Sequence, residues 1–130
     1  PLIDESSNAN PLSMAAGFRS LGARPVATGG RRIVVLTDML ELGEPSHALH
    51  EGLAEPIAAA GLDLVHAAGP EMKRLYDVLP AARRGEWRET AAELAADAAT
   101  LAGPGDIVMV KGSNGSKASL IAKALAALGE

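Results

Sequence analysis

Short apolar runs alternate along this chain with segments whose apolar residues return every three or four positions. Leu2 and Ile3 open a short buried strand, and Asn10 followed by Pro11 predicts the cap and first turn of a helix through about Leu21, since proline needs no intrahelical donor there. Gly22 ends that helix, and the unbroken Ile33-Val34-Val35-Leu36 core of Arg31 to Thr37 predicts a strand covered on both faces, at the centre of a sheet. Ser46 reads as an N-cap for a helix to about Ala60, with Leu49, Leu53 and Ile57 on one face and a kink at Pro56. Leu62 to Ala67 is the next strand, Pro70 opens a helix carrying Met72, Leu75, Tyr76 and Leu79, and Pro80 stops it. Gly85 to Glu89 reads as a short polar edge strand. Thr90 caps an Ala-rich helix through Leu101, Ile107 to Val110 is a second buried strand, and a last helix runs from about Ser116 to Leu128.

Strands alternating with helices of this length predict βαβ units and hence an α/β fold: a Rossmann-like, doubly wound, mostly parallel sheet with helices on both faces. In such a sheet ligands bind beyond the carboxyl ends of the strands. Three polar stretches directly follow strand-like runs: Asp4 to Pro11, Thr37 to Glu44, and Lys111 to Gly115. Right-handed crossovers bring all three to one rim, although they are far apart in the chain.

Composition narrows the classes. The 130 residues and 48% hydrophobic content suit one domain spanning residues 1–130 with one aliphatic core, and no internal repeat or linker divides it. One Trp, one Tyr and one Phe leave few stacking platforms, and a net charge of −4 offers phosphate backbones no attraction, so nucleic-acid binding is disfavoured. No apolar run approaches the roughly 20 residues that span a bilayer, and no signal core opens the chain, so no membrane insertion is expected. The absence of cysteine fits a reducing cytoplasm. A strand starting at Pro1 suggests a piece of a longer polypeptide.

Each polar stretch admits a chemical reading and a simpler one. Glu5, Asn8, Asn10 and the helix start at Pro11 suit a nucleotide ribose or phosphate, whereas Asn10 as a plain helix cap and Asn8 as a turn residue explain them equally well. Asp38, Glu41 and Glu44 form an acidic group that could hold an ammonium or a metal-bound water, against a turn cap and solvated glutamates. His50, one turn into the following helix, could face the same rim or simply be packed. Lys111, Ser113 and the glycines beside them could approach a carboxylate or phosphate, against an ordinary glycine-rich turn with Lys111 solvated. The phosphate-loop pattern itself fails, since the residue after Lys117 is Ala118. His47, His50 and His66 make no recurrent metal-ligand spacing, so no metal site is expected, and no Gly-x-Ser-x-Gly elbow supports acyl transfer. Catalysis by this chain alone has no evident machinery.

Ile3 to Pro11 with its Asn-Ala-Asn-Pro, Asp38 to Glu44 followed by Leu49-His50, and Val110 to Gly115 together resemble the C-terminal domain of the Mur ligases. The similarity runs in order through nearly the whole chain, and the Asn-Ala-Asn-Pro and Asp-Met-Leu-Glu-Leu-Gly segments point to the member of that family that adds D-alanyl-D-alanine to UDP-N-acetylmuramoyl-tripeptide. It implies an ATP-dependent amide ligase of bacterial, cytoplasmic cell-wall synthesis. In such a ligase the tripeptide carboxylate is phosphorylated and the dipeptide amine attacks the acyl phosphate.

The resemblance also implies that N-terminal and central domains of the same polypeptide are partners. ATP and Mg2+ would be bound mainly by that central domain, with none expected in this fragment, which would be inactive alone. Glu5, Asn8 and Asn10 fall on the ATP side of the interdomain cleft; Asp38, Glu41, Lys111, Ser113 and Asn114 fall on the dipeptide side, with Asp38 and Lys111 as opposite poles for ammonium and carboxylate. The chain departs from the family pattern at Ser7 for Tyr, Glu5 for Asp, Thr37 for Gly and Asn114 for Arg; the last removes a bidentate carboxylate clamp. A stand-alone Rossmann-like binding module, or a domain of a related Mur-type amino-acid ligase, are the alternatives.

Overall fold

The structure is a computed structural model describing residues 1–129. Five parallel strands, β1 (Leu2–Glu5), β2 (Arg32–Thr37), β3 (Leu64–Ala68), β4 (Arg84–Arg88) and β5 (Ile107–Lys111), form one sheet in the order β1-β5-β2-β3-β4. β2 is the central strand. Its apolar run lies wholly inside because its two faces feed different layers: Val34 and Leu36 pack with one cluster, Ile33 and Val35 with the other. The first cluster takes Met14, Phe18 and Leu21 of α1 (Pro11–Gly22), Ile57 of α3 (Ala54–Ala59) and Met72 and Leu75 of α4 (Met72–Val78). The second takes Ala91 and Leu94 of α5 (Ala91–Ala96) and Ala118, Ile121 and Ala122 of α6 (Ala118–Leu128). The doubly wound α/β sheet is therefore as the pattern predicts, and Phe18, the sole phenylalanine, is fully buried beneath α1.

α1 starts where the Asn-Pro pair places it. Asn10 Oδ1 accepts the Ser13 N–H at 2.9 Å and the Ser13 hydroxyl oxygen accepts the Asn10 N–H at 2.9 Å, a reciprocal capping box. The predicted helix from Ser46 to Ala60 is in fact two, α2 (Ser46–Glu51) and α3, broken at Gly52-Leu53. Pro56 has no N–H for the Gly52 carbonyl and its ring crowds that carbonyl, so the break falls four residues before the proline rather than at it. Ser46 is also not the cap: Pro45 holds that place, and the Ser46 hydroxyl donates instead to Glu71 Oε1 at 2.6 Å.

Other boundaries move by a turn or less. β3 begins at Leu64, two residues later than expected, and α4 begins at Met72 after a turn at Pro70-Glu71. The helix capped by Thr90 ends at Ala96 and tightens into a 3₁₀ turn at Ala98–Thr100, where the Asp97 N–H bonds Leu94 O and Arg88 holds the Asp97 carboxylate at 3.0 Å. The last helix starts at Ala118, after a 3₁₀ turn at Asn114–Ser116 and a left-handed Lys117 at φ 66°. Among the described residues no helix is long and apolar enough to cross a membrane.

Candidate functional site

Because every strand pair is parallel, Glu5, Thr37 and Lys111 end their strands on the same rim, and β1, β5 and β2 are direct neighbours there. The three polar stretches meet at Ser113. Its hydroxyl accepts the Leu40 N–H at 3.0 Å and donates to Ala9 O at 3.4 Å, while its own N–H reaches Asp38 O at 3.4 Å. Below it the Thr37 and Ser116 hydroxyls lie 2.6 Å apart, and Ser116 donates to Ser113 O at 2.8 Å, so the loop after β5 is fixed against the end of β2.

The first stretch has its own cation. Lys111 alternates onto the face covered by α1 and is 5% exposed. Its ammonium pairs with Glu5 Oε1 at 2.9 Å and donates to Asn8 O at 3.3 Å. Gly17 of α1 leaves the necessary room, since a Cβ there would lie 3.2 Å from the Lys111 Cδ. Lys111 thus stands with Glu5 and Asn8, not with the 38–44 loop. Asn10 is committed to its capping box, and the Asn8 side chain is exposed.

In the second stretch Asp38 is buried and faces the start of α4, where its carboxylate accepts the Met72 N–H at 2.8 Å and the Glu71 N–H at 3.2 Å. Burial pushes its carboxyl above the ordinary range, and the two N–H bonds work against that rise. Gly69, at φ 117°, makes the arrangement possible, because a Cβ there would fall inside the Asp38 carboxylate. His50 does not face the rim: it is fully buried, accepting the Met39 N–H at 3.0 Å on Nε2. Glu71 is held below the ordinary carboxylate range, first by the Ser46 hydroxyl and also by His47, whose Nε2 lies 3.3 Å from Oε2. Glu41 is exposed and left-handed at φ 62°, and Asn114 is exposed at the head of its 3₁₀ turn.

Beside this junction, a cavity of about 300 Å³ opens between the ends of β2 and β3 and the starts of α5 and α6. Leu40, Ala68, Pro70, Ala92 and Leu120 give it apolar walls; Glu89 and Lys117 stand at its edge as exposed charges of opposite sign. The sequence pattern had singled out neither Glu89 nor Ala92, and Lys117 only within the failed phosphate-loop pattern. The available signal was topological: in a parallel sheet the residues after β3 and β4 reach the same rim as those after β1, β2 and β5. Among the described residues no three His, Asp or Glu side chains are gathered to hold a metal ion. The turn after β5 does not run straight into a helix, so it offers no phosphate cradle of the Gly-Lys-Ser/Thr kind.

An all-parallel, doubly wound sheet whose strand-end loops converge beside a small amphipathic cavity defines a Rossmann-like α/β domain. The family model described as "Mur ligase, glutamate ligase domain" matches residues 2–114, and the chain belongs to the Mur ligase family, as its C-terminal domain. The UDP-N-acetylmuramoyl-tripeptide–D-alanyl-D-alanine ligase of Rickettsia prowazekii is 32% identical over 116 residues, covering 89% of this chain and 25% of that protein. The ligase of the same name from Escherichia coli is 41% identical over 70 residues, 54% of this chain and 15% of that protein. The crystal structure of MurF ligase from Thermotoga maritima in complex with ADP superposes with a TM-score of 0.76 at 25% identity, covering 95% of this chain and 27% of that one. The chain therefore spans about a quarter of the Rickettsia and Thermotoga proteins it matches.

Proposed function

We propose that this chain is the acceptor-binding and closing C-terminal domain of an ATP-dependent, cytoplasmic ligase that joins D-alanyl-D-alanine to UDP-N-acetylmuramoyl-tripeptide in peptidoglycan synthesis. It works with N-terminal and central domains of the same polypeptide. The single observation that carries the reading is the convergence on Ser113: the three segments that resemble the family are hydrogen-bonded into one junction, through residues as far as 104 positions apart.

In this reaction the tripeptide carboxylate takes a phosphoryl group from ATP. The dipeptide amine attacks that acyl carbon, phosphate leaves, and an amide remains. The task of this chain is to hold the attacking amine in line, which contributes through lost translational and rotational freedom. Asp38 is occupied by α4 and Lys111 by Glu5, so the two poles a zwitterionic dipeptide needs are assigned to Glu89 for the ammonium and Lys117 for the carboxylate. Leu40, Ala92 and Leu120 receive the methyl groups, in a cavity at the small end of the roughly 300–1,000 Å³ typical of ligand pockets. Glu5, positioned by Lys111, and Asn8 face the nucleotide side. Mg2+ neutralises phosphate charge when bound, and its ligands are assigned to the central domain.

The test is phosphate release by the full-length polypeptide. Release is expected only when ATP, the UDP-tripeptide and D-alanyl-D-alanine are all present, and none from the 130-residue chain alone. Equal release with a single amino acid in place of the dipeptide would move the reading to a related Mur ligase, and ATP turnover by this chain alone would contradict it.

A further inference from the structure

We infer that His50 is the positioning residue of the acceptor-side loop, acting through the backbone of Met39; the assignment rests on the reading of the rim as an acceptor site. His50 has no exposed surface. The Met39 N–H can only donate, and it points at Nε2 from 3.0 Å, so that nitrogen carries no proton. Nδ1 lies 2.7 Å from the Ser46 carbonyl and 3.3 Å from the Ser46 hydroxyl. A carbonyl can only accept, and the Ser46 hydrogen is given to Glu71. The proton of the neutral ring is therefore on Nδ1, and the imidazole bridges α2 to the loop after β2 in one defined tautomer.

Three consecutive residues of that loop are tied to three different elements. The Asp38 carboxylate is held by the first N–H groups of α4, the Met39 N–H by His50 of α2, and the Leu40 N–H by Ser113 beyond β5. The chain then enters the left-handed region at Glu41, φ 62°. A residue with a side chain persists there only where its surroundings over-determine the backbone. His50 supplies the middle tie. Without it the Met39 N–H is buried with no acceptor, the strain at Glu41 is free to relax, and Leu40 leaves the cavity wall. Glu5 and Lys111 on the nucleotide side make no hydrogen bond to His50, so the consequence falls on the acceptor.

Three variants of the full-length ligase test this. Gln at position 50 puts an oxygen acceptor where Nε2 stood, Asn is too short to reach Met39, and Leu offers no acceptor. His50→Leu and His50→Asn are expected to raise the KM for D-alanyl-D-alanine about ten-fold with kcat and the KM for ATP within about three-fold, and His50→Gln to restore most of the loss. An unchanged dipeptide KM in all three, a Gln variant as impaired as Leu, or a parallel rise in the ATP KM would overturn the inference. Should the Leu and Asn variants not fold, the nitrogen-15 shifts of the unsubstituted protein decide: a proton on Nδ1 of His50 is expected, and a proton on Nε2 overturns the assignment. If the unsubstituted ligase does not use the dipeptide, the acceptor reading fails by itself, while the nitrogen-15 result still reports on His50.

Discussion

The Ser113 hydroxyl accepts the Leu40 N–H at 3.0 Å, joining two strand-end loops that are 73 residues apart. The bond sits on the rim where β5 and β2 are neighbours, and through Ala9 O the same oxygen reaches the loop after β1. Ser113→Ala should therefore loosen the junction without unfolding the sheet. A loss of about 0.5–1.5 kcal/mol is expected in denaturant titration. Amide exchange at Leu40 should quicken relative to the β2 amides, and unaltered exchange there would remove Ser113 as the tie.

Gly69 and Gly61 make a contrasting pair. Both have positive φ, 117° and 69°, but only Gly69 has a neighbour, the Asp38 carboxylate, in the space of a Cβ. Gly61→Ala should cost about 1 kcal/mol from backbone conformation alone. Gly69→Ala should cost roughly 2–4 kcal/mol, because strain adds to displacement of a buried carboxylate. Equal losses in thermal unfolding would show that Asp38 is not packed against the Gly69 turn.

Lys111→Met is a test of the ion pair between Lys111 and Glu5 at the ends of β5 and β1. The ammonium is buried but its partner Glu5 is 39% exposed, so solvent screens part of the interaction. A loss of about 1–2 kcal/mol is expected, and much of it should return in the Lys111→Met, Glu5→Gln double variant, where no unpaired carboxylate remains. Additive losses would mean the two side chains do not interact.

Stability should fall in mild acid because of His66. Burial holds its imidazole below the ordinary value of 6.5, against the pull of the Leu101 carbonyl that accepts from Nε2 at 2.8 Å. As the pH drops below 6.5 the unfolded chain binds a proton that the folded chain refuses, so the free energy of unfolding decreases down to the folded value. Nδ1 accepts the Glu86 N–H at 2.9 Å and has no room for a proton of its own. Urea midpoints at pH 7.5 and 5.5 should differ more in the unsubstituted protein than in His66→Gln; an equal difference would assign the acid sensitivity elsewhere.

The elements were legible where local chemistry and tertiary packing agree. Asn10, Pro11 and Ser13 write the start of α1 into consecutive positions, and the unbroken Ile33 to Leu36 run announces a strand buried on both faces. The break at Gly52 was not legible as placed, because the missing donor belongs to Pro56, four residues downstream of the carbonyl it cannot bond. The rim as a place followed from the parallel sheet, yet the directions of its side chains did not. Lys111 turns under α1 because Gly17 leaves a gap there, Asp38 is drawn to the free N–H groups of α4, and His50 points back at Met39. Each of these depends on a contact made only when the chain folds back on itself, which residue types alone do not reveal.

The most direct measurement is the kinetic effect of Ala92→Phe in the full-length ligase. Ala92 is exposed on the cavity wall, so a phenyl ring there fills the space without disturbing either core. The KM for D-alanyl-D-alanine is predicted to rise about ten-fold or more while the KM for ATP stays unchanged, as expected when acceptor binding alone is lost. An unaltered dipeptide KM in a folded Ala92→Phe enzyme would contradict the placement of the acceptor on this rim.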